Sequence, residues 1–232
     1  MNRFVTVLIV SLLGFALQAE NSFQVTLFKI LCNDTKQSNV VISPLSIYQG
    51  LAFLSNGARG ETQKEIIRTI NEKDLVDLNK ANQEMSSFFD KEKLLKIANG
   101  VLSTTTPNES FIQIANKYKA LSTQIKSTEQ INQWTERTEN KITDVITSID
   151  NIQMIMISSI FYRNQWLYPF IASDTRKGEF HNKDGTVSQI DMLFEKDYTD
   201  YLWTEDYQAI ELSLRHVLLF FFHQNQLQLI NL

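Results

Sequence analysis

Apolar residues recur at helical spacing through the first part of the chain. Phe23, Leu27 and Ile30 follow the pair Asn21-Ser22, which can cap a helix, so a first amphipathic helix is predicted there. The same spacing predicts further helices at residues 45–56, 62–70, 75–89, 107–118 and 128–146. The helix at 45–56 is apolar over much of its surface, which indicates that it is buried.

Polar residues and a glycine mark the ends of these helices. Thr62–Glu65 and Thr106–Glu109 have the spacing of capping boxes, and Ser127 with Gln130 can cap the last helix. Gly57 lies where a helix C-cap glycine is expected. These signals predict where the helices begin and end.

Strand patterns surround the helices and dominate the second part of the chain. Asn39–Ile42 is a short apolar run, and alternation at Ile97–Val101 indicates a strand. Met154–Tyr162 is almost entirely apolar, as is typical of a strand buried on both faces. Short strands follow Trp166, and Lys183–Thr186 is the clearest hairpin turn. Helices first and strands later predict an α+β fold.

The N-terminus has the pattern of a secretory signal peptide. Arg3 supplies a positive charge, residues 4–17 are mostly apolar, and Ala19 offers a cleavage point, with Ala16 as an alternative. A membrane helix is the competing interpretation, but the run is shorter than the roughly 20 residues that span a bilayer. We therefore expect residues 1–19 to be a signal peptide and the mature protein to be extracellular, with no membrane partner.

Composition and charge narrow the classes of function. The 232 residues are 43% hydrophobic and 21% charged, and the formal net charge is -4. Interleaved charges of both signs argue against binding to nucleic acid. Cys32 is the single cysteine, so the chain cannot form an internal disulfide; a helix-packing role is favoured over a nucleophile or an intermolecular bridge. Asn33 and Asn108 each begin a sequon for N-glycosylation.

Motifs for enzymatic chemistry are absent from the sequence. It contains no phosphate-binding or dinucleotide-binding glycine loop, no zinc-protease motif and no paired cysteines. His181, His216 and His223 lack metal-ligand spacing, and no serine lies in a nucleophile elbow, although a triad assembled in space stays open. We therefore expect no enzyme activity, no cofactor and no metal. The tryptophans Trp134, Trp166 and Trp203 are predicted to pack in the core.

A series of short segments carries a family resemblance along residues 23–214. In chain order they are Asn39–Ile47, Leu54–Thr62 with Glu65 and Ile66, Ile97–Asn99, Ile131–Trp134 with Thr138, Lys141 and Ile142, Phe161–Phe170 with Thr175, Phe180 with Asp184, Gly185 and Met192, and Glu211–Leu212. Together they resemble the serpins, a family of serine-protease inhibitors. The resemblance implies helices packed on a large central β-sheet, crossed by the Trp134 helix and followed by smaller sheets.

The resemblance also implies a mechanism without a catalytic residue. A reactive loop is offered to a serine, or cysteine, endopeptidase as bait and inserts into the central sheet once it is cleaved. Residues matching the region where the sheet opens are Ser43, Pro44, Ser46, Ser158 and Trp166. Capping of the helix start is the simpler role for the residues around Pro44, and both roles can hold together.

Several departures from the family pattern qualify this expectation. The family's reactive loop would follow the residues present, so residues 20–232 are expected to form a partial serpin domain with no reactive centre. Ser158 replaces the usual asparagine, Asn164 replaces the usual glycine, and the tail Val217–Phe222 does not resemble the family. The function expected of the complete protein is inhibition of a serine endopeptidase. The alternatives are a non-inhibitory serpin-like fragment or pseudogene product, acting if at all as an interaction protein, and an unrelated hydrolase.

Overall fold

Contacts within the chain divide it into a helical unit, residues 18–163, and a strand unit, residues 1–17 with 164–232. The structure, a computed structural model, describes residues 9–11, 23–34, 41–92, 95–135, 144–182, 185–194, 200–205, 207–214 and 217–224. The elements are β1 (Ile9–Ser11), α1 (Phe23–Asp34), α2 (Pro44–Ser55), α3 (Gly60–Thr69), α4 (Leu75–Glu92), β2 (Leu95–Ser103), α5 (Glu109–Lys117), β3 (Leu121–Gln124), α6 (Thr128–Thr135), β4 (Met154–Tyr162), a short 3-10 helix (Ala172–Asp174), β5 (Arg176–His181), β6 (Val187–Met192), β7 (Tyr201–Trp203), β8 (Tyr207–Leu214) and β9 (Val217–Gln224).

The predicted helices are present, and the differences lie at their beginnings and ends. α3 starts at Gly60 without a side-chain cap, so the capping box predicted at Thr62 is wrong. α5 is capped by Asn108, whose side chain accepts a hydrogen bond from the backbone N–H of Ser110. The predicted cap on α6 is confirmed, because Ser127 Oγ accepts a hydrogen bond from the backbone N–H of Gln130 at 3.2 Å.

The ends of two helices also differ from prediction. Gly57 is not left-handed, since the positive-φ glycines of the described residues are Gly60 and Gly185. A Cβ at Gly57 would lie 3.0 Å from the Phe111 ring, so close packing, not turn geometry, favours glycine there. α6 is described to Thr135; residues 136–143, which include Thr138 and Ile142, lie outside the described residues. The sequence predicted that this helix extends to residue 146, which is wrong, because Val145 is not helical.

A three-stranded sheet forms the centre of the helical unit. Its order is β3-β2-β4, with β2 parallel to β3 and antiparallel to β4. One face packs through Phe53, Val101 and Ala115, which brings α2 and α5 onto the sheet. The opposite face packs through Leu102, Ile131 and Ile157, which brings α6 onto it. Helices therefore cover both faces, in agreement with the α+β prediction.

Trp134 confirms the expected packing of its helix on this sheet. The side chain is buried on α6, and its Nε1 lies 3.3 Å from the position that a Cβ on Gly100 would occupy. Glycine at this point of β2 lets the indole approach the strand closely. The predicted core role of Trp134 is therefore correct.

Two strand predictions need correction. β4 was expected to be buried on both faces, but Met154 is 54% exposed and Ile157 and Ser159 are its buried residues. The two buried residues share the face that α6 covers, whereas Met154 lies on the opposite face at the first position of the strand. Val41 and Ile42 form no strand, and Val41 is 92% exposed; Asn39 and Val40 lie outside the described residues.

The strand unit contains two antiparallel sheets, one of order β1-β9-β8-β7 and the hairpin β5-β6. The hairpin prediction is confirmed: Asn182 N–H donates to Thr186 O at 2.8 Å, and Gly185 has φ 89°. Trp203 is 61% exposed on the edge strand β7, so its predicted core role is wrong. β1 is the part of the predicted signal peptide that the structure describes. Within the described residues, no helix is long and apolar enough to cross a membrane.

Candidate functional site

The candidate site lies where the first turn of α2 meets β4. Ser43 is the N-cap of α2, with φ -116° and ψ 94°, and its Oγ accepts a hydrogen bond from Ser46 N–H at 3.3 Å. Pro44 follows in the first turn, where its fixed φ suits the helix and no backbone donor is lost. These two residues therefore hold the start of α2 in place, as the capping interpretation predicted.

Ser46 and Ser158 join α2 to β4 through their hydroxyl groups. Ser46 Oγ lies 2.5 Å from Ser158 Oγ, and Ser158 Oγ also lies 2.9 Å from the carbonyl oxygen of Ser46. Asn99 adds a third contact, with its Oδ1 2.6 Å from Ser158 Oγ. The register of the sheet explains this contact, because Asn99 on β2 is the direct antiparallel partner of Ser158.

Hydrogen counting limits how these contacts can be made. A serine hydroxyl has one hydrogen, so Ser158 can donate either to Asn99 Oδ1 or to the Ser46 carbonyl, but not to both. Ser46 Oγ can donate to Ser158 Oγ in either case. Counting Ser46 Oγ, Ser158 therefore has three acceptors within reach and only one proton to give.

Gly50 sets the distance between α2 and the sheet one turn further along the helix. A Cβ at this position would lie 3.2 Å from Met156 Sδ and 3.6 Å from Ser158 Cβ. Gly50 is itself buried. Absence of a side chain thus allows α2 to approach β4 closely beside the serine pair.

A polar network fixes the other parts of α2. Tyr48 O–H donates to Glu72 Oε1 at 2.5 Å, and burial, followed by this hydrogen bond, raises the pKa of Tyr48. Asn56 Nδ2 donates to Asn79 Oδ1 at 3.0 Å, and Tyr118 O–H donates to the same oxygen. Burial raises the pKa of Tyr118 to about 12. These bonds tie α2 to α4 and α5 while its first turn rests on β4.

Trp166 belongs to the strand unit, whereas Ser43, Pro44, Ser46 and Ser158 come together in the helical unit. Trp166 forms an isolated antiparallel bridge with Leu214. Its ring meets Phe170 edge-on, with centroids 5.4 Å apart. Trp166 is therefore placed by local strand and ring contacts.

The two sequons lie in different settings. Asn108 is exposed at the start of α5, and its Oδ1 accepts from both the backbone N–H and the Oγ of Ser110, at 3.0 and 3.1 Å. Asn33 lies in the last turn of α1, and Thr35 of its sequon lies outside the described residues. The amide nitrogen of Asn108 is thus presented on an exposed side chain.

Sequence reasoning missed Asn99, Gly50 and Met156 as members of the site. The signal for Asn99 was incomplete: alternation predicts which side of β2 carries it, but the register with β4, which places it opposite Ser158, comes from the structure. Gly50 was missed because, in the sequence, it does not differ from any other small residue of a buried helix. Across the described residues, no group of three or more His, Cys, Asp or Glu side chains is arranged to hold a metal ion.

Comparison with known proteins yields one family. A family model described as "Serpin (serine protease inhibitor)" matches residues 18–226. Sheep (Ovis aries) corticosteroid-binding globulin is 30% identical over 200 residues, covering 78% of this chain and 46% of that protein. Horse (Equus caballus) leukocyte elastase inhibitor is 25% identical over 222 residues, covering 84% and 59%. The crystal structure of Serpin48 from the insect Tenebrio molitor superposes with a TM-score of 0.73 at 26% identity, covering 78% and 55%.

Helices on both faces of a three-stranded sheet, followed in the chain by antiparallel sheets of four and two strands, give an α+β fold that matches the serpin class. The chain belongs to the serpin family. It spans about half the length of the curated relatives it matches, at 46% and 59% of theirs. The expectation that Val217–Phe222 departs from the family is wrong. The family match continues through this segment, which pairs with β8 as the strand β9.

Proposed function

We propose that the complete protein is a secreted inhibitor of a serine endopeptidase that acts by inserting its cleaved reactive loop into the central sheet. The observation that carries this proposal is the hydroxyl contact between Ser46 and Ser158 at the edge strand β4. Loop insertion requires the central sheet to open beside β4, the strand that the first turn of α2 contacts. The hydrogen bond between these two small hydroxyl groups can break and re-form as the sheet opens.

The proposal places the inserted loop beside β4. In the described residues β4 pairs with β2 along one side, from Leu95↔Tyr162 to Ser103↔Met154. In the complete protein the inserted loop would pair with the backbone N–H and C=O groups of β4 that point away from β2, which is the chemistry of β-strand addition. Trp166 follows β4 in the sequence, and we propose on the family resemblance that it also takes part in opening the sheet.

Inhibition in this form needs no catalytic group of the inhibitor. The protease supplies the nucleophile and forms an acyl bond with the loop, and insertion then carries the acylated protease with it. The protein is accordingly proposed to be no enzyme and to need no cofactor. Its proposed partner is a serine endopeptidase, with a cysteine endopeptidase as the related possibility.

A non-inhibitory role is the second candidate, favoured by one specific observation. The relative that is 30% identical is named as a corticosteroid-binding globulin, so a protein sharing this segment can be a carrier. For this chain, the corresponding proposal is an interaction protein that binds a ligand without trapping a protease. The two candidates differ in whether a covalent protease complex forms.

Secretion and glycosylation complete the proposal. We propose that residues 1–19 direct the chain into the secretory pathway, where Asn108 and Asn33 receive N-linked sugar. The exposed side chain of Asn108 supports its availability. Expression in a secretory cell tests the proposed secretion and glycosylation. Loss of residues 1–19 and a mass increase that a glycosidase removes would support the proposal. Retention of residues 1–19 would contradict it.

The decisive experiment uses the complete protein made from the full transcript. It is incubated with trypsin-, chymotrypsin- and elastase-like serine endopeptidases and with a papain-like cysteine endopeptidase, then analysed on denaturing gels. A denaturant-stable complex is expected with at least one active enzyme and with none whose nucleophile has been blocked. Loop cleavage by every enzyme without any such complex would reject inhibition and favour the carrier role.

A further inference from the structure

Met156 lies where α2 approaches the sheet most closely beside the serine pair. Its Sδ and Cε lie 3.2 and 3.3 Å from the position that a Cβ on Gly50 would take. Met156 also packs against the cluster of Phe53, Val101 and Ala115. The thioether therefore fills the space that glycine leaves open on α2.

Met156 also shares a face of β4 with Ser158. Residues two apart on a strand point to the same side, so the thioether and the Ser158 hydroxyl both face α2. Val101, the direct partner of Met156 on β2, is buried, while Met156 itself is half-buried. Because Met156 is only half-buried, we expect a small oxidant to reach its sulfur, although the side chain belongs to the packed contact.

We propose that Met156 is an oxidation site for peroxides, and that its sulfoxide loosens the contact between α2 and β4. The sulfur attacks one peroxide oxygen, the O–O bond breaks, an S–O bond forms and, with hydrogen peroxide, water leaves. Methionine loses two electrons and the peroxide gains them. The sulfoxide is reducible by thiol-dependent reductases, so the change is reversible. The proposal concerns the α2–β4 contact and does not depend on protease inhibition.

Sulfoxide formation changes this contact in two ways. The added oxygen enlarges a group that fits against α2 because Gly50 has no Cβ, which would lie 3.2 Å from the sulfur. It is also a strong hydrogen-bond acceptor placed among apolar side chains, where an unpaired polar group is costly. The hydroxyl of Ser158 is the donor on the same face, and donation to the sulfoxide would remove it from Asn99 or Ser46.

The test treats the purified chain with hydrogen peroxide and follows oxidation by peptide mass analysis alongside amide hydrogen exchange. Met154, 54% exposed on the same strand, is the internal control and should oxidise first without changing exchange. Oxidation of Met156 should then make amides of α2 and β4 exchange at least about tenfold faster. Met156→Leu, which conserves volume, should keep the initial exchange and abolish this effect. Met154→Leu should leave the effect intact.

Three results would overturn the proposal. One is that Met156 stays reduced after Met154 is fully oxidised. Another is that the sulfoxide of Met156 forms without faster exchange in α2 and β4. The third is that peroxide accelerates exchange equally in Met156→Leu, which would place the responsible group elsewhere.

Discussion

Ser46 Oγ lies 2.5 Å from Ser158 Oγ, although the two residues are 112 positions apart in the chain. This contact joins the helix α2 to the strand β4. Ser158 has two further acceptors within reach, Asn99 Oδ1 and the Ser46 carbonyl oxygen, but one hydrogen to donate. The contact is therefore specific in position and limited in strength. These two properties suit a contact between α2 and β4 that has to break when the loop inserts.

Removal of the Ser158 hydroxyl should weaken the helical unit. Ser158→Ala leaves Ser46 and Asn99 with fewer partners, so unfolding free energy should fall by about 1–3 kcal/mol. Ser87→Ala is a matched control, because the Ser87 hydroxyl bonds to Gln83 O on the exposed side of α4. Urea unfolding measures both variants. Equal, small effects of the two changes would show that the Ser158 contact contributes nothing particular.

An asparagine at position 158 should strengthen the same contact. The amide of Ser158→Asn offers two N–H donors, so it can bond to Ser46 O and to Asn99 Oδ1 together. We expect the unfolding free energy to rise by about 1 kcal/mol in the same urea assay. In the complete protein the gain should slow loop insertion. A fall in stability would mean that the larger side chain does not fit between α2 and β2.

Gly100 should resist enlargement because Trp134 lies over it. Gly100→Val pushes a side chain into the indole, whose Nε1 is 3.3 Å from the Cβ position, and should cost about 1–3 kcal/mol despite the strand preference of valine. Trp134→Ala combined with Gly100→Val should recover part of the valine penalty, as a double-mutant cycle in urea would measure. Strict additivity would contradict the packing of α6 on β2.

Alkaline pH should destabilise the fold through Tyr118. Burial raises its folded pKa to about 12, above the value of about 10 expected in the unfolded chain. The unfolded state therefore releases its proton first, and stability that is complete below about pH 10 is lost as pH rises towards 12. Tyr118→Phe should be less stable at neutral pH and should show a shallower decline. An unchanged slope between pH 10 and 12 would exclude this role for Tyr118.

Tryptophan fluorescence should separate the exposed and buried indoles. Trp203 is 61% exposed on β7 and Trp134 is 9% exposed on α6. Trp203→Phe should remove most of the emission that acrylamide quenches readily, and Trp134→Phe should leave that fraction in place. Equal quenching of the two single variants would contradict the exposure of β7.

Local patterns predicted the elements better than their contacts. Helices and the β5-β6 hairpin follow from residue spacing and turn residues, which act over a few positions. The pairing of Asn99 with Ser158, by contrast, depends on strand register, which a single sequence does not specify. The exposure of Trp203 was missed for a related reason: an apolar strand pattern does not indicate whether the strand lies at a sheet edge.

The site itself was predictable in part. Ser43 and Pro44 carry a local capping signal, and the structure places them in that role. The network of Asn56, Asn79 and Tyr118 carries no such signal, because its members lie on separate helices that meet only after folding. Gly57 shows the same limit, since its role comes from Phe111 and not from its own turn.

The most direct test of the central claim is amide hydrogen exchange along β4 in the complete protein, before and after a protease cuts its reactive loop. Insertion of the loop beside β4 would give a new partner to backbone groups on the strand's outer edge. We predict that exchange at residues 154–162 slows by at least about tenfold after cleavage. Unchanged exchange along β4 with the loop fully cut would contradict the account.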